Sequence, residues 1–325
     1  MIRFLRTFTG WRRPLFSGPF SLKPRATMPA KPSMQQGMAV IGALVVVAAA
    51  AIVTAAIMER QALLADTLFG ERDRTQAKWL LRGGLDWARI ILLNDARRNA
   101  VTQKDGIWAQ PIVGLEVSTP GDTRKASFSG QIEDEQGKYN IWRLAASGTV
   151  QPQELAVLER LLASLNIPVS LAATISQRVA ESQAGQPARQ AAAGLRSLND
   201  LLSLKGMSPD IVITLSTYLT ILPKKTTVNA NTTTAEVLSA SVPGLDLAQA
   251  RAMTEQRDLG QWFNSRADFF NRLAKPGITP GNQIGVNSEW FKVTGEVILD
   301  HATARMQALV YRQGDEPPLI RWIND

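Results

Sequence analysis

A chain of 325 residues with 45% hydrophobic content is long enough for two compact units and is not disordered throughout. Its net charge of +8 is concentrated at one end: Arg3, Arg6, Arg12, Arg13, Lys23, Arg25 and Lys31 lie within residues 1–37 without an acid, and the other 29 Lys and Arg face 28 Asp and Glu. A near-neutral body has no general attraction for phosphate backbones, and the absence of cysteine excludes disulfides and thiolate metal sites while leaving the redox compartment open.

The first element is an apolar run. Met38 to Met58 holds twenty-one residues without a charge, long enough at about 1.5 Å per residue to cross a hydrocarbon core. A buried core helix is the alternative, but globular helices are usually shorter. Seven bases precede the run, and Glu59, Arg60, Asp66, Glu71, Arg72, Asp73 and Arg74 follow it as a mixed set. The positive-inside rule therefore places the N-terminus in the cytoplasm. A secretory signal would have a shorter apolar core, of roughly 7–15 residues, and a polar chain after its cleavage site. Here the pattern predicts one helix continuing to about Arg98: proline is absent, and Leu63, Leu64, Leu68, Trp79, Leu80, Leu85, Trp87, Ile90 and Ile91 recur at helical spacing. Gly83-Gly84 is a place for that helix to bend.

Farther along, Ser127 to Glu133 alternates like a half-buried strand and Asp134-Glu135-Gln136-Gly137 supplies a turn. Glu133, Asp134 and Glu135 admit two readings, an acid pair or calcium site, or adjacent acids in a solvated turn. From Gln151 to about Pro223 the pattern is helical, with Leu155, Leu158, Leu161, Leu162 and Leu165 on one face and Pro168, Pro187 and Pro209 as breaks. Residues 183–194 read as a loop. Ser197-Leu198-Asn199-Asp200 and Ser265-Arg266-Ala267-Asp268 echo one another as serine-capped helix starts. After Pro276 and Pro280, Trp290 to Leu299 and Ala304 to Arg312 predict an antiparallel hairpin, and Leu319 to Ile323 a last strand. The fold class is α+β: a long N-terminal helix packs on a small antiparallel sheet, and a helical unit is inserted between two parts of that sheet.

Catalytic chemistry finds little support. His301 is the only histidine, expected in a turn, so no multi-histidine metal site or His-based triad with a second histidine exists within one chain. Phosphate-loop, dinucleotide and nucleophile-elbow motifs are missing.

Between the two serine echoes, Val228-Asn229-Ala230-Asn231-Thr232-Thr233-Thr234 leads into Val242-Pro243-Gly244-Leu245-Asp246 and a helix from Leu247 to Arg257. This resembles a helix-hairpin-helix module. Asp246 replaces the second glycine of DNA-binding versions, and a carboxylate repels phosphate while serving well as a helix N-cap.

The basic leader, Gln35-Gln36-Gly37 and the uncharged helix from Met38 resemble the processing site of type IV prepilins and type II secretion pseudopilins. The run Ile132 to Leu144 and the asparagine-rich segment with its hairpin resemble the K-type minor pseudopilins of type II secretion. Gly42 stands at the fifth mature position, where most pilins carry glutamate and K-type members do not. The resemblance covers residues 35–323. It implies that a prepilin peptidase cuts after Gly37 and that Met38 becomes a methylated N-terminus. The organisation it implies is a leader at 1–37, a transmembrane segment at 38–58, a periplasmic part of the helix at 59–110, a sheet domain at 111–144 and 285–325, and an inserted helical domain at 145–284. It further implies a bacterial inner-membrane, single-pass protein with a periplasmic C-terminal domain, capping the pseudopilus tip and needed for protein export across the outer membrane. Its partners would be the I-type and J-type minor pseudopilins, the major pseudopilin and the peptidase, with no nucleic acid and no catalytic residue. Calcium is a family possibility at Glu133, Asp134 and Glu135. The competing reading is a membrane-tethered helix-hairpin-helix protein that binds DNA in a competence-like system.

Overall fold

The computed structural model describes residues 36–118, 125–183, 194–273, 282–300 and 302–324, with the backbone alone for Gln36 and Gly37. Expectations about Pro187, Pro276, Pro280, His301, residues 184–193 and most of the leader lie outside the described residues. The chain divides into two units, residues 1–64 and 65–325. In the first, the described residues form the opening of helix α1 (Gln36–Arg98). Its apolar window has a mean hydropathy of 2.8, and none of it is buried against protein. An exposed apolar helix of that length has the properties of a membrane anchor.

In the second unit α1 turns amphipathic. Ala77, Leu81, Leu85, Ala88 and Leu92 are buried at intervals of three and four residues, so they share one helix face. That face lies on a five-stranded antiparallel sheet of β1 (Ile112–Ser118), β2 (Lys125–Asp134), β3 (Trp290–Leu299), β4 (Ala302–Tyr311) and β5 (Leu319–Asn324), in that order across the sheet. Phe128, Ile132, Val293, Val297, Met306 and Val310 supply the facing side chains. Each fully buried Leu, Val or Phe contributes about 1.5–3 kcal/mol relative to exposure.

The Gly83-Gly84 pair lies inside a continuous helix, where Gly84 has a packing role. A Cβ on Gly84 would fall 2.5 Å from the Phe128 ring, and Gly130 and Gly295, paired across β2 and β3, lie beneath the same ring. Glycine at these positions lets helix and sheet close on Phe128.

The helical body interrupts the chain between β2 and β3. It consists of α2 (Pro152–Ser164), α3 (Ser170–Gln183), α4 (Pro209–Ser216), α5 (Ala235–Ser241), α6 (Leu247–Asp258) and α7 (Arg266–Leu273). Its core includes Leu158, Leu161, Leu162, Ile175, Val237 and Phe269, and it takes in Tyr139, Ile141 and Leu144 upstream of residue 145. Proline sits in the first turn of α2 and of α4, where its missing N–H costs nothing. The first serine echo forms a 3-10 turn, Leu198–Ser203, and the second caps α7. Both use an aspartate three residues on: Asp200 accepts from the Ser197 N–H at 3.1 Å, and Asp268 donates its N–H to Ser265 Oγ at 3.0 Å.

Candidate functional site

Gly37 and Met38 lie in the first turn of α1, with Met38 exposed. A Cβ on Gly42 would meet nothing within 4 Å, so the helix has room there for a larger residue.

The acidic triplet closes β2 and opens a 3-10 turn, Glu135–Gly137, that leads into the helical body. It is not a solvated turn. Asp134 and Glu135 are buried, Glu133 and Glu135 share Lys138 and Lys292, and Asp134 turns to a separate set of partners. Glu133 meets Lys292 at 2.6 Å and Lys138 at 3.5 Å. Burial pushes its carboxyl up, but the bonds and charges of Lys292 and Lys138 outweigh this and hold it below the usual carboxylate range. Glu135 accepts from Thr220 Oγ1 and from Lys138 at 2.8 Å. Two ammonium groups beside these carboxylates oppose a dication electrostatically. The triplet as it stands does not fit calcium, and it links sheet to helical body.

Asp134 is the centre of a buried polar seam. Its Oδ2 accepts from Ser288 Oγ and Thr232 Oγ1, both at 2.6 Å, and from Asn229 Nδ2 at 3.2 Å, while Oδ1 accepts from the Gln136 N–H at 2.8 Å. Burial pushes the carboxyl up, and the four donors offset this only in part. The seam continues on both sides. Asn229 Nδ2 also reaches the Thr102 carbonyl at 3.1 Å and Ser288 Oγ at 2.8 Å. Arg312, just past β4, donates to Asp95 of α1 at 2.8 Å, to Thr102 Oγ1 at 2.6 Å and to the Ser288 carbonyl at 2.8 Å, with its guanidinium 4.6 Å from the Phe291 ring. Stem helix, sheet and helical body therefore meet in one satisfied network.

The asparagine-rich segment joins this seam to the helix-hairpin-helix unit. Asn231 exchanges hydrogen bonds with the backbone of Phe263, both at 2.9 Å. From α6, the buried Arg257 donates to the carbonyls of Ala230 at 2.9 Å and Thr233 at 2.7 Å. Burial lowers its pKa, with Asp258 opposing the shift. Thr234 caps α5 and Asp246 caps α6, where the Asp246 carboxylate accepts from the Gln249 N–H at 2.8 Å. Gly244 takes φ +85°, the left-handed conformation that the hairpin requires. The hairpin therefore presents an acid at the helix N-terminus that a DNA-binding version would offer to phosphate.

The sequence pattern marked Asn229, Asn231 and Asp246, but missed Asp95, Thr102, Ser288 and Arg312. Asp95 looks like one more surface charge on a helix rich in charge, and the bonds it joins span about 200 residues. No local pattern carries that signal.

Comparisons with known proteins agree on one group. Two family models described as type II secretion system (T2SS), protein K match residues 137–224 and 228–288. The type II secretion system protein K of Pseudomonas aeruginosa is 27% identical over 302 residues, covering 85% of this chain and 87% of its own length. The protein K of Pectobacterium carotovorum subsp. carotovorum is 25% identical over 326 residues, covering 89% and 96%, and that of Klebsiella pneumoniae is 25% identical over 313 residues, covering 86% and 93%. The fold resembles a chain of the GspK-GspI-GspJ complex of the enterotoxigenic Escherichia coli type 2 secretion system, with a TM-score of 0.61, 18% identity, and coverage of 78% of this chain and 97% of that one.

Proposed function

Because this chain belongs to the type II secretion system protein K family, and is a minor pseudopilin and not an enzyme, we propose that it caps the tip of the pseudopilus. The observation that carries this reading is the helical body inserted between β2 and β3, which makes the head too bulky for repeated stacking along a shaft. Gly42 supports it. A subunit without an acid at that position cannot neutralise a neighbour's N-terminal ammonium in the hydrocarbon interior, where an unpaired charge is costly.

In this reading prepilin peptidase cuts between Gly37 and Met38, Met38 is methylated, and α1 anchors the chain in the inner membrane with its N-terminus cytoplasmic and its head periplasmic. Assembly with the I-type and J-type minor pseudopilins above the major pseudopilin then supports protein export. The partner assignment is supported by the composition of the complex that holds the similar fold. The test is expression with and without the other minor subunits. Short fibres or none are expected from this protein alone, and long homopolymeric fibres would overturn the reading. Mass spectrometry of the membrane-extracted protein should find Met38 as the first residue, and Gly37→Ala should abolish that product.

A further inference from the structure

The two edges of the sheet are built differently. At one, β1 is guarded: Gly114 sits at φ +64° in a bulge between Ile112 and Leu115, its N–H is turned to Ser129 Oγ at 3.1 Å, and Glu116 pairs with Lys125 at 2.6 Å. Bulges and edge charges discourage pairing with another chain. At the other, β5 pairs with β4 alone among the described residues, and all six of its residues are exposed. Leu319, Ile320, Trp322 and Ile323 put large apolar groups on both faces of this edge. The single charge, Arg321, occupies a bulge and lies 5.1 Å over the Tyr311 ring instead of guarding the edge.

Resting on the assembly reading above, we propose that β5 is a docking edge that accepts an extended, apolar strand from another minor pseudopilin. The chemistry of the edge selects this occupant. A strand with one neighbour presents main-chain N–H and C=O groups outward, and only another extended backbone satisfies a row of them. The occupant is not this chain's own free edge, because β1 lies at the far end of the same sheet. Apolar side chains on both faces require a partner strand that is itself apolar on both faces, which a solvated loop is not.

The register makes the proposal specific. Leu319 and Trp322 lie opposite Tyr311 and Leu309, whereas Ile320 and Ile323 lie opposite Val310 and Ala308. Residues on one face of β5 are therefore three apart, where a regular strand would space them by two, because Arg321 is extra.

The test uses the full membrane-anchored chain, which is free of cysteine, co-expressed with the I-type and J-type subunits carrying single cysteines along their strands. Single cysteines at 319, 320, 322 and 323 should cross-link under mild oxidation in two sets, 319 with 322 and 320 with 323, each to alternate residues of one partner strand. Ile320→Lys with Trp322→Lys should weaken capture of that partner at least tenfold while leaving the melting temperature within a few degrees. Unchanged capture by the double variant, or cross-links only between two copies of this chain, would overturn the docking edge alone. Failure of the unaltered chain to associate with either subunit would overturn the assembly reading and this inference with it.

Discussion

The two junctions that hold the second unit together use opposite physics. Between α1 and the sheet the contact is apolar and tight, with Phe128 seated among Gly84, Gly130 and Gly295. Where the helical body leaves and rejoins the sheet the contact is polar, with Asp134, Asn229, Ser288, Thr102, Arg312 and Asp95 satisfying one another. Apolar burial is non-directional and tolerates small slides, whereas a buried network has one arrangement that satisfies every member. Helix-on-sheet packing therefore supplies stability, and the seam specifies how the helical body is set against the sheet. Under the tip-subunit reading proposed above, both serve a head whose outer surface meets unlike neighbours.

Four single substitutions, one of them also combined with a second change, test this division. The largest effect should come from Arg312→Ala, which leaves Asp95 buried and unpartnered at one end of the seam and should cost about 3–5 kcal/mol in urea unfolding of the detergent-solubilised protein. A loss under 1 kcal/mol would mean that the seam is dispensable. Gly84→Ala attacks the apolar junction by placing a Cβ 2.5 Å from Phe128, with an expected cost of about 1–3 kcal/mol. Adding Phe128→Leu should recover part of that loss, whereas strict additivity would show that the ring is not the obstacle.

Asp134→Asn sharpens the contrast, because either orientation of the amide turns an N–H₂ group toward existing donors, at about 1–3 kcal/mol near neutral pH. It also has a pH signature. A carboxyl raised by burial binds its proton more tightly in the folded state, so its contribution is fully present below the ordinary aspartate value of 3.8 and is lost as pH rises through the higher folded value. Glu133 has the opposite sign. Its contribution is present above the ordinary 4.5 and lost as pH falls through its lowered value. Stability measured from pH 3 to 7 should therefore lose its acid-favouring component in Asp134→Asn, and identical pH profiles for variant and parent would count against the assignment. The smallest effect belongs to Asp246→Ala, which removes only the α6 cap, at about 1 kcal/mol. It should leave duplex DNA binding no tighter than the non-specific range of roughly 10⁻⁴ to 10⁻⁶ M.

Much of the fold is legible along the chain. The helix to Arg98, the paired strands after residue 290 and the leucine face of α2 follow from periodicity, because burial on one face imposes a period of 3.6 or 2 on neighbouring residues. Asp246 is equally local, since capping involves residues three apart. The Gly83-Gly84 pair reads in the sequence as a place to bend, and the close approach at Gly84 depends on Phe128, some forty residues later. The acidic triplet shows the same dependence more sharply. Three adjacent acids have the composition of a solvated turn, and the burial of Asp134 and Glu135 depends on Lys292, Thr220 and Ser288 arriving from elsewhere.

The anchor, the long helix, the capped hairpin and the near-neutral head are therefore properties of short stretches of sequence, since hydropathy, charge and capping act over a few residues. Which polar groups are buried together, which glycines face a ring and which sheet edge is left open are properties of the folded chain. They depend on contacts between segments up to about two hundred residues apart, where Asp95 meets Arg312 and Asp134 meets Ser288. Such contacts leave no periodic trace, because each end is a single polar residue whose partner is chosen by the closing of the sheet around the inserted body.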